Sequence, residues 1–304
     1  YEIAEVIGEG TAGVVYKAYQ PSLDRHVAIM VLKEELATDP AVVAGFRQAV
    51  LTAARLSHPN ILDIHDMQSE DGLQYVVMDY SPRGSLEQRL EIGPLAVEEA
   101  VRLVAELASA LAYVHAQGLV HGDLKPSNVL LDAAGHALLS DIGLARALAA
   151  ARPDLQVGTP EYMAPEQAEG APPDARSDIY SLGLILFEAL TGQVPFKGDT
   201  PLSTLYRQVN EPVPRLTDMG VQAPFLQDIL DRALAKDPDA RYQSAAEMGR
   251  ALQRAAQALV RSDQQADLQA TIRTTPFGAE ETVVDTAVSA GEEMPAATSA
   301  SGGR

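Results

Sequence analysis

An octapeptide near the middle of the chain, HGDLKPSN at residues 121–128, constrains the fold more than any other feature of the sequence. It places an acid, a cation and an amide on one short stretch: Asp123, Lys125 and Asn128. Apolar residues recur at helical spacing through residues 97–117 before it, and an apolar run follows it at 129–131. Because 46% of the residues are hydrophobic, the chain can bury the core that such a polar loop needs for support.

Four more motifs follow the octapeptide in a fixed order. They are SDIG at 140–143, GTPEYMAPE at 158–166, SDIYSLG at 177–183 and KDPDARY at 236–242. A glycine-rich stretch, GEGTAGVV at 8–15, lies near the start of the chain and is flanked by two runs with the composition of strands. A dinucleotide-binding fold would need a helix after these glycines, whereas strand, glycines and strand is the layout of a flap over ATP phosphates.

This ordered series resembles the eukaryotic-like (Hanks-type) serine/threonine protein kinases of bacteria, over about residues 1–260. The resemblance implies an α+β, two-lobed protein-kinase fold. We expect a small β-rich N-lobe with one helix at 1–80 and a larger helical C-lobe at 81–260. Residues 261–304 form an acidic tail rich in Ser and Thr, and this composition predicts disorder.

The same resemblance implies a role for each site residue, with ATP and Mg²⁺ as cofactors and a protein as substrate or partner. Asp123 would orient the substrate hydroxyl and accept its proton, and Lys125 would steady the transferred phosphoryl group. Asn128 and Asp141 would hold Mg²⁺, a hard cation that prefers oxygen ligands. The residues implied in nucleotide binding are Gly8, Gly10 and Gly13 of the flap, Val15, Ala28 and Leu130 around the adenine, Met78 at the back of the pocket, and Asp79 and Ser81, whose backbone groups would bond the adenine edge.

The sequence departs from this family at two positions whose usual residues form an ion pair. Met30 occupies the lysine position of the third strand, and Ala49 occupies the glutamate position of the following helix. Residues 40–62 contain no Asp or Glu, so this helix can supply no carboxylate. Loss of both partners is physically coherent, because one charge alone would be left unpaired. Two lysines are alternative cations: Lys33, which side-chain alternation should turn to the opposite face of the strand, and Lys17 on the second strand.

The sequence also departs from the family in features that normally control the segment after Asp141. Gly122 stands where many kinases carry an arginine that binds a phosphate on this segment, and residues 142–158 contain no Ser, Thr or Tyr. The segment thus has no hydroxyl group to phosphorylate and no arginine to bind a phosphate, which excludes regulation by phosphorylation of this segment. The resemblance also implies two structural contacts: Asp178 with the backbone of the octapeptide, and Glu166 with Arg241.

Two functions remain open on these grounds. The first is a pseudokinase, a kinase-fold binding module that regulates a partner allosterically, with or without bound nucleotide. The alternative is a slow or atypical serine/threonine kinase that transfers the ATP γ-phosphate to protein Ser or Thr, and other chemistry on ATP is a third reading. The net charge of −19 argues against general nucleic-acid binding.

The sequence also gives expectations for the cellular location of the chain and for its C-terminal tail. The chain has no cysteine, no apolar run of about 18 residues and Tyr1 at its start, so we expect a cytoplasmic fragment, either free or part of a longer membrane-anchored protein. Thr282-Val283-Val284-Asp285 in the tail has the Thr-x-x-Asp form that some phosphothreonine-reading modules accept after phosphorylation. A plain solvated linker is the alternative for this tail.

Overall fold

Five antiparallel strands form the sheet of the smaller lobe in the computed structural model, which describes residues 1–70, 72–152 and 158–274, with side chains up to Leu259. The strands are β1 (Glu2–Glu9), β2 (Gly13–Gln20), β3 (Arg25–Leu32), β4 (Ile64–Glu70) and β5 (Leu73–Asp79), in the spatial order β1-β2-β3-β5-β4. The predicted hairpin around the glycines is confirmed, because β1 and β2 pair directly. Central strand β3 places Met30 opposite Val15 of β2 and Val76 of β5.

Two helices, α1 (Glu34–Ala37) and α2 (Pro40–Ala53), follow β3. The backbone N–H of Ala41 donates to the Asp39 side chain at 2.9 Å, so Asp39 caps α2 and fixes where it begins. Buried side chains on α2 recur every four residues, at Val42, Phe46 and Val50. Helix α1 is a single turn that the expectation of one helix in this lobe did not include.

The larger lobe is helical. Its helices are α3 (Leu86–Glu91), α4 (Val97–Ala116), α5 (Leu144–Ala151), α6 (Pro165–Ala168), α7 (Ala175–Thr191), α8 (Pro201–Asn210), α9 (Pro224–Ala233) and α10 (Ala245–Thr274), with a hairpin of β6 (Val129–Leu131) and β7 (Ala137–Leu139). Thirteen of the 17 residues of α7 are buried, which makes it the centre of this lobe. The two-lobed fold expected from the sequence is therefore confirmed.

The β6–β7 hairpin ties the lobes together next to the octapeptide. The backbone N–H of Leu139 donates to the carbonyl of Asn60 at 2.9 Å, and the N–H of Leu62 donates to the carbonyl of Leu139 at 3.0 Å. These bonds fix the octapeptide, which directly precedes β6, beneath the sheet of the small lobe.

Several elements were not predicted from the sequence: α1, α3, α5, α6 and both strands of the β6–β7 hairpin. The chain divides into two compact units, Tyr1–Arg261 and Ser262–Arg304; both lobes lie in the first, whose boundary falls within helix α10. Helix α10 runs on to Thr274, and residues 275–304, with the Thr-x-x-Asp motif, lie outside the described residues, so the proposed tail boundary and its disorder stay predictions. In the described part of the chain, no helix combines the length and apolar character that a membrane span requires.

Candidate active site

A cleft of about 670 Å³ opens between the glycine flap and the octapeptide. Every residue that the sequence assigned to catalysis or to nucleotide and metal binding lines this cleft: Gly8, Gly10, Gly13, Val15, Ala28, Met78, Asp79, Ser81, Asp123, Lys125, Asn128, Leu130 and Asp141. The fold thus brings together residues that are up to 133 positions apart in the chain. The chemical role of each residue stays a prediction.

Backbone hydrogen bonds to a buried carboxylate hold the octapeptide in place. The N–H of His121 donates to Asp178 Oδ2 at 2.9 Å and the N–H of Gly122 donates to Asp178 Oδ1 at 2.8 Å, which confirms the contact expected for Asp178. The side chain of His121 bonds the carbonyl of Ser140 at 2.9 Å through Nε2 and accepts from the N–H of Asp123 through Nδ1 at 3.3 Å. Because Nδ1 accepts, Nε2 carries the proton, and the histidine links the octapeptide to the SDIG segment.

The three polar side chains of the octapeptide form one connected group. Lys125 Nζ lies 3.0 Å from Asp123 Oδ2 and donates to Thr159 Oγ1 at 3.1 Å. Asn128 Nδ2 donates to the carbonyl of Asp123 at 2.8 Å, so the Oδ1 atom is the part of this amide available to a cation. A hydroxyl that approached Asp123 would therefore meet a carboxylate with a cation beside it.

Asp141 has a left-handed backbone, with φ of 56°. Few residues other than glycine adopt this conformation, although Asp tolerates it better than most, and such strain is concentrated at functional sites. Asp141 is exposed on the side that faces the cleft, whereas protein atoms crowd around its carboxyl on the other sides and partly desolvate it. This desolvation is the main cause that raises the pKa of Asp141, and the Asp123 carboxylate adds to it. A cation bound beside Asp141 would offset this cost of desolvation.

The donor set fits a divalent cation held jointly with a nucleotide. Asn128 and Asp141 offer oxygen atoms on one cleft wall. In the residues that the structure describes, no group of three His, Cys, Asp or Glu side chains could hold a metal without other ligands. A Mg²⁺ ion here would therefore need phosphate oxygens as further ligands, which is its usual mode in nucleotide sites.

The wall expected to carry the ion pair is apolar. Met30 and Ala49 line a common cavity with Val50 and Leu144, and Met30 is buried, with 7% of the residue exposed. Met30 belongs to the same buried cluster as Phe46 of α2. No carboxylate or ammonium group replaces the pair among the described residues that line this cavity, apart from Asp141 at its edge.

Neither alternative lysine is among the residues that line the cleft, although each pairs with a glutamate that does. Lys33 Nζ lies 3.2 Å from Glu9 Oε1, and Lys17 Nζ lies 3.7 Å from Glu5 Oε1 and 4.9 Å from the centre of the Tyr80 ring. In the described part of the chain, the cations of the cleft wall are Arg83 and Lys125, and its acids are Glu5, Glu9, Asp79, Glu87, Asp123 and Asp141. Acids therefore outnumber cations on the cleft wall, although Glu5 and Glu9 are paired with Lys17 and Lys33.

Glu166 and the fully buried Arg241 form the ion pair that was expected from the sequence. Arg241 donates to both carboxylate oxygens of Glu166, at 2.9 and 2.7 Å, and Ser177 Oγ donates to Glu166 Oε1 at 2.6 Å. Burial alone would raise the pKa of the Glu166 carboxyl, but the hydrogen bonds from Arg241 and Ser177 outweigh it, and the pKa lies below its usual value.

Sequence reasoning missed the contribution of α5 and one glycine requirement. Leu144, Ala145 and Leu148 of α5 line the cleft, although their apolar spacing of three and four residues could have indicated a helix. Gly122 has φ of 80°, a conformation that favours glycine over the arginine expected there.

Comparisons with known proteins agree with this arrangement. The protein kinase domain family model matches residues 1–253. Serine/threonine-protein kinase PknB of Mycolicibacterium smegmatis is 39% identical over 259 residues, covering 82% of this chain and 41% of the relative. Serine/threonine-protein kinase PrkC of Bacillus subtilis is 37% identical over 253 residues, covering 82% and 39% respectively. The chain thus spans about two fifths of the length of these relatives. The crystal structure of the Mycobacterium tuberculosis PknI kinase domain superposes with a TM-score of 0.67 at 30% identity, covering 83% of this chain and 95% of that one.

Proposed function

The chain belongs to the protein kinase family, as a domain of the bacterial serine/threonine class, and we propose that it binds nucleotide but transfers phosphate poorly and acts chiefly on a protein partner. One observation carries this proposal: Met30 and Ala49 fill an apolar wall where the family lysine and glutamate would pair. Neither Lys17 nor Lys33 supplies the missing cation, since each pairs with a glutamate outside that wall.

The expected loss of rate is large but finite. Removal of one preorganised contact to the transition state costs roughly 10²–10³ in turnover. Residues that act as a unit are not additive, so loss of the second partner should not square that factor. Since kinases turn over at about 1–100 s⁻¹, a residual rate on the order of 10⁻²–10⁻¹ s⁻¹ is expected.

The retained residues support nucleotide binding. Asn128 and Asp141 would hold Mg²⁺, which when bound neutralises phosphate charge. Asp123 would position a substrate hydroxyl and accept its proton at Oδ1 or Oδ2, with Lys125 beside it. In a cleft with few cations, affinity for free ATP should be weaker than in kinases that keep the family lysine, and it should depend on the metal.

A slow active serine/threonine kinase is the second candidate, favoured by the geometry of the octapeptide. The 3.0 Å contact of Lys125 with Asp123 and the 3.1 Å contact with Thr159 leave the proton acceptor and its cation in place. A cytosolic location suits either candidate, because both would use ATP. Phosphorylation of the tail and its capture by a phosphothreonine-reading module remain proposals that concern residues outside the described part of the chain.

Two measurements on the same protein test this proposal. Calorimetric titration with ATP and Mg²⁺ should give binding that weakens in Asp141→Asn, and no detectable heat would contradict nucleotide binding. Transfer of labelled γ-phosphate to itself and to a generic protein substrate should be slow and should vanish in Asp123→Asn. Label equal to that control supports the partner-binding role, whereas label at an ordinary kinase rate contradicts impairment.

A restoring variant sharpens the second measurement. Met30→Lys with Ala49→Glu returns the ion pair at the positions where the family carries it. A gain of roughly 10²-fold in Asp123-dependent transfer is expected if the pair alone limits the rate. Each single substitution serves as a matched control, because one charge without its partner should give no comparable gain.

A further inference from the structure

Helix α5 packs directly on α2 beside the nucleotide cleft. A Cβ atom added to Gly45 of α2 would lie 3.2 Å from the carbonyl oxygen of Ala147 and 3.8 Å from the Ala147 Cβ. A side chain at position 45 would therefore be in tight contact with the backbone of α5. Leu144 and Leu148, four residues apart on α5, are buried in the cluster that contains Met30.

The missing glutamate lies on the face of α2 that receives α5. Gly45, Ala49 and Ala53 follow each other at intervals of four residues and so share one side of the helix. Ala49 and Ala53 line the same apolar cavity as Leu144 of α5. A carboxylate at position 49 would be placed among these apolar groups without a cation, since position 30 is methionine.

Packing is what keeps α5 helical. With eight residues, α5 is shorter than the ~12–15 residues at which an isolated helix becomes marginally stable in water. Residues 142–158 offer no hydroxyl for phosphorylation, and Gly122 offers no side chain to bind a phosphate. Apolar contacts with α2 can therefore order the segment after Asp141, whereas a phosphate on this segment cannot.

We propose that Gly45, Ala49 and Met30 form a docking site for α5, so that apolar packing takes the place of phosphorylation in ordering this segment. The inference rests on the proposed function for its consequence, which is that α5 sets the width of the nucleotide site. Leu144, Ala145 and Leu148 line that site, so a docked α5 holds one wall of the cleft in a fixed position without any covalent signal. The same substitutions that remove the ion pair thus create the apolar surface that makes a phosphate unnecessary.

Hydrogen exchange of the nucleotide-free protein, followed by mass spectrometry, tests this docking. Gly45→Leu forces side-chain atoms into the backbone of α5, whereas Ala44→Leu adds the same side chain at an exposed position one residue away. The α5 amides should exchange at least about tenfold faster in Gly45→Leu and be unchanged in Ala44→Leu. Exchange in α4 and α7 reports whether the fold is intact.

A second variant covers the case in which Gly45→Leu does not fold. Leu148→Ala removes a buried contact of α5, and Arg146→Ala changes an exposed residue of the same helix. Faster exchange in Leu148→Ala alone supports docking. Unprotected α5 amides in the parent protein, or full protection in both Gly45→Leu and Leu148→Ala, would overturn it.

The variant that restores the ion pair provides an independent test of the docking of α5. Met30→Lys with Ala49→Glu introduces two charged side chains into the docking site, so α5 should lose protection by at least about tenfold. Retained protection in this variant contradicts the inference. The exchange experiment contains no nucleotide, so its result does not depend on whether ATP binds. Failure of ATP to bind in the calorimetric titration would contradict the proposed function but not the docking of α5.

Discussion

Exchange of Glu166 for glutamine removes the carboxylate that neutralises a fully buried guanidinium. The Arg241 side chain has 0% exposure, and besides Glu166 it donates to the three backbone carbonyls of Ala235, Arg176 and Lys236, at 2.8, 3.1 and 3.1 Å. Glutamine keeps one acceptor but turns an amide NH₂ toward a second donor of Arg241. An uncompensated buried charge results, and we expect the free energy of unfolding to fall by about 3–5 kcal/mol.

Urea unfolding followed by circular dichroism measures this loss, with Glu169→Gln as the control because Glu169 is exposed and three residues away. At about 2–4 °C per kcal/mol for a domain of this size, the melting temperature should drop by roughly 10 °C. A loss below about 1 kcal/mol would refute the reasoning, since it would place Glu166 and Arg241 in the energy range of exposed ion pairs.

The same pair predicts a pH dependence. The pKa of Glu166 in the folded protein lies below its ordinary value of 4.5, so the stabilisation is fully present above pH 4.5 and is lost as the pH falls through the folded-state pKa. The difference in unfolding free energy between the parent protein and Glu166→Gln should therefore narrow below pH 4.5. A difference that stays constant down to pH 3 would contradict the pKa assignment.

Three further predictions concern other parts of the site. Gly122→Ala should lower the free energy of unfolding by about 1 kcal/mol, because φ of 80° disfavours a Cβ, and urea unfolding would detect it. Met30→Lys alone should destabilise more than the same change combined with Ala49→Glu, and additive effects in the double-mutant cycle would show that the two positions do not couple. Burial, followed by the charge of Arg241, lowers the pKa of Lys236 to about 8 from 10.5. The folded state then binds fewer protons than the unfolded state between these values, so stability relative to Lys236→Met should rise from pH 8 to pH 10, and a fall in urea unfolding experiments would contradict this sign.

Local signals made much of the fold predictable. The glycines between two strands, the Asp39–Pro40 start of α2 and the glycine after α4 each fix a boundary through the conformation of one or two residues. Helix α5 escaped prediction because its eight residues carry no capping side chain and follow a glycine with φ of 73°. Its helicity depends on contact with α2, which is distant in sequence.

Some residues of the candidate site could be identified from local sequence, and others only from the tertiary structure. Asp123, Lys125 and Asn128 could be identified from sequence because they lie within one loop, where their spacing alone indicates a shared role. Arg83 and the α5 residues Leu144 and Leu148 could not, because only the approach of the two lobes places them on the cleft wall.

The sequence by itself determined which groups this protein has: an octapeptide with its acid, cation and amide, and a β3 strand and α2 helix that lack the family ion pair. The tertiary structure alone decided what occupies the place of that pair. Gly45 and Ala49 became a contact surface for α5, and Lys33 became a partner of Glu9. The physical reason is that residue identity fixes charge and hydrogen-bonding capacity, whereas the partner of each group depends on the long-range packing of helices and strands.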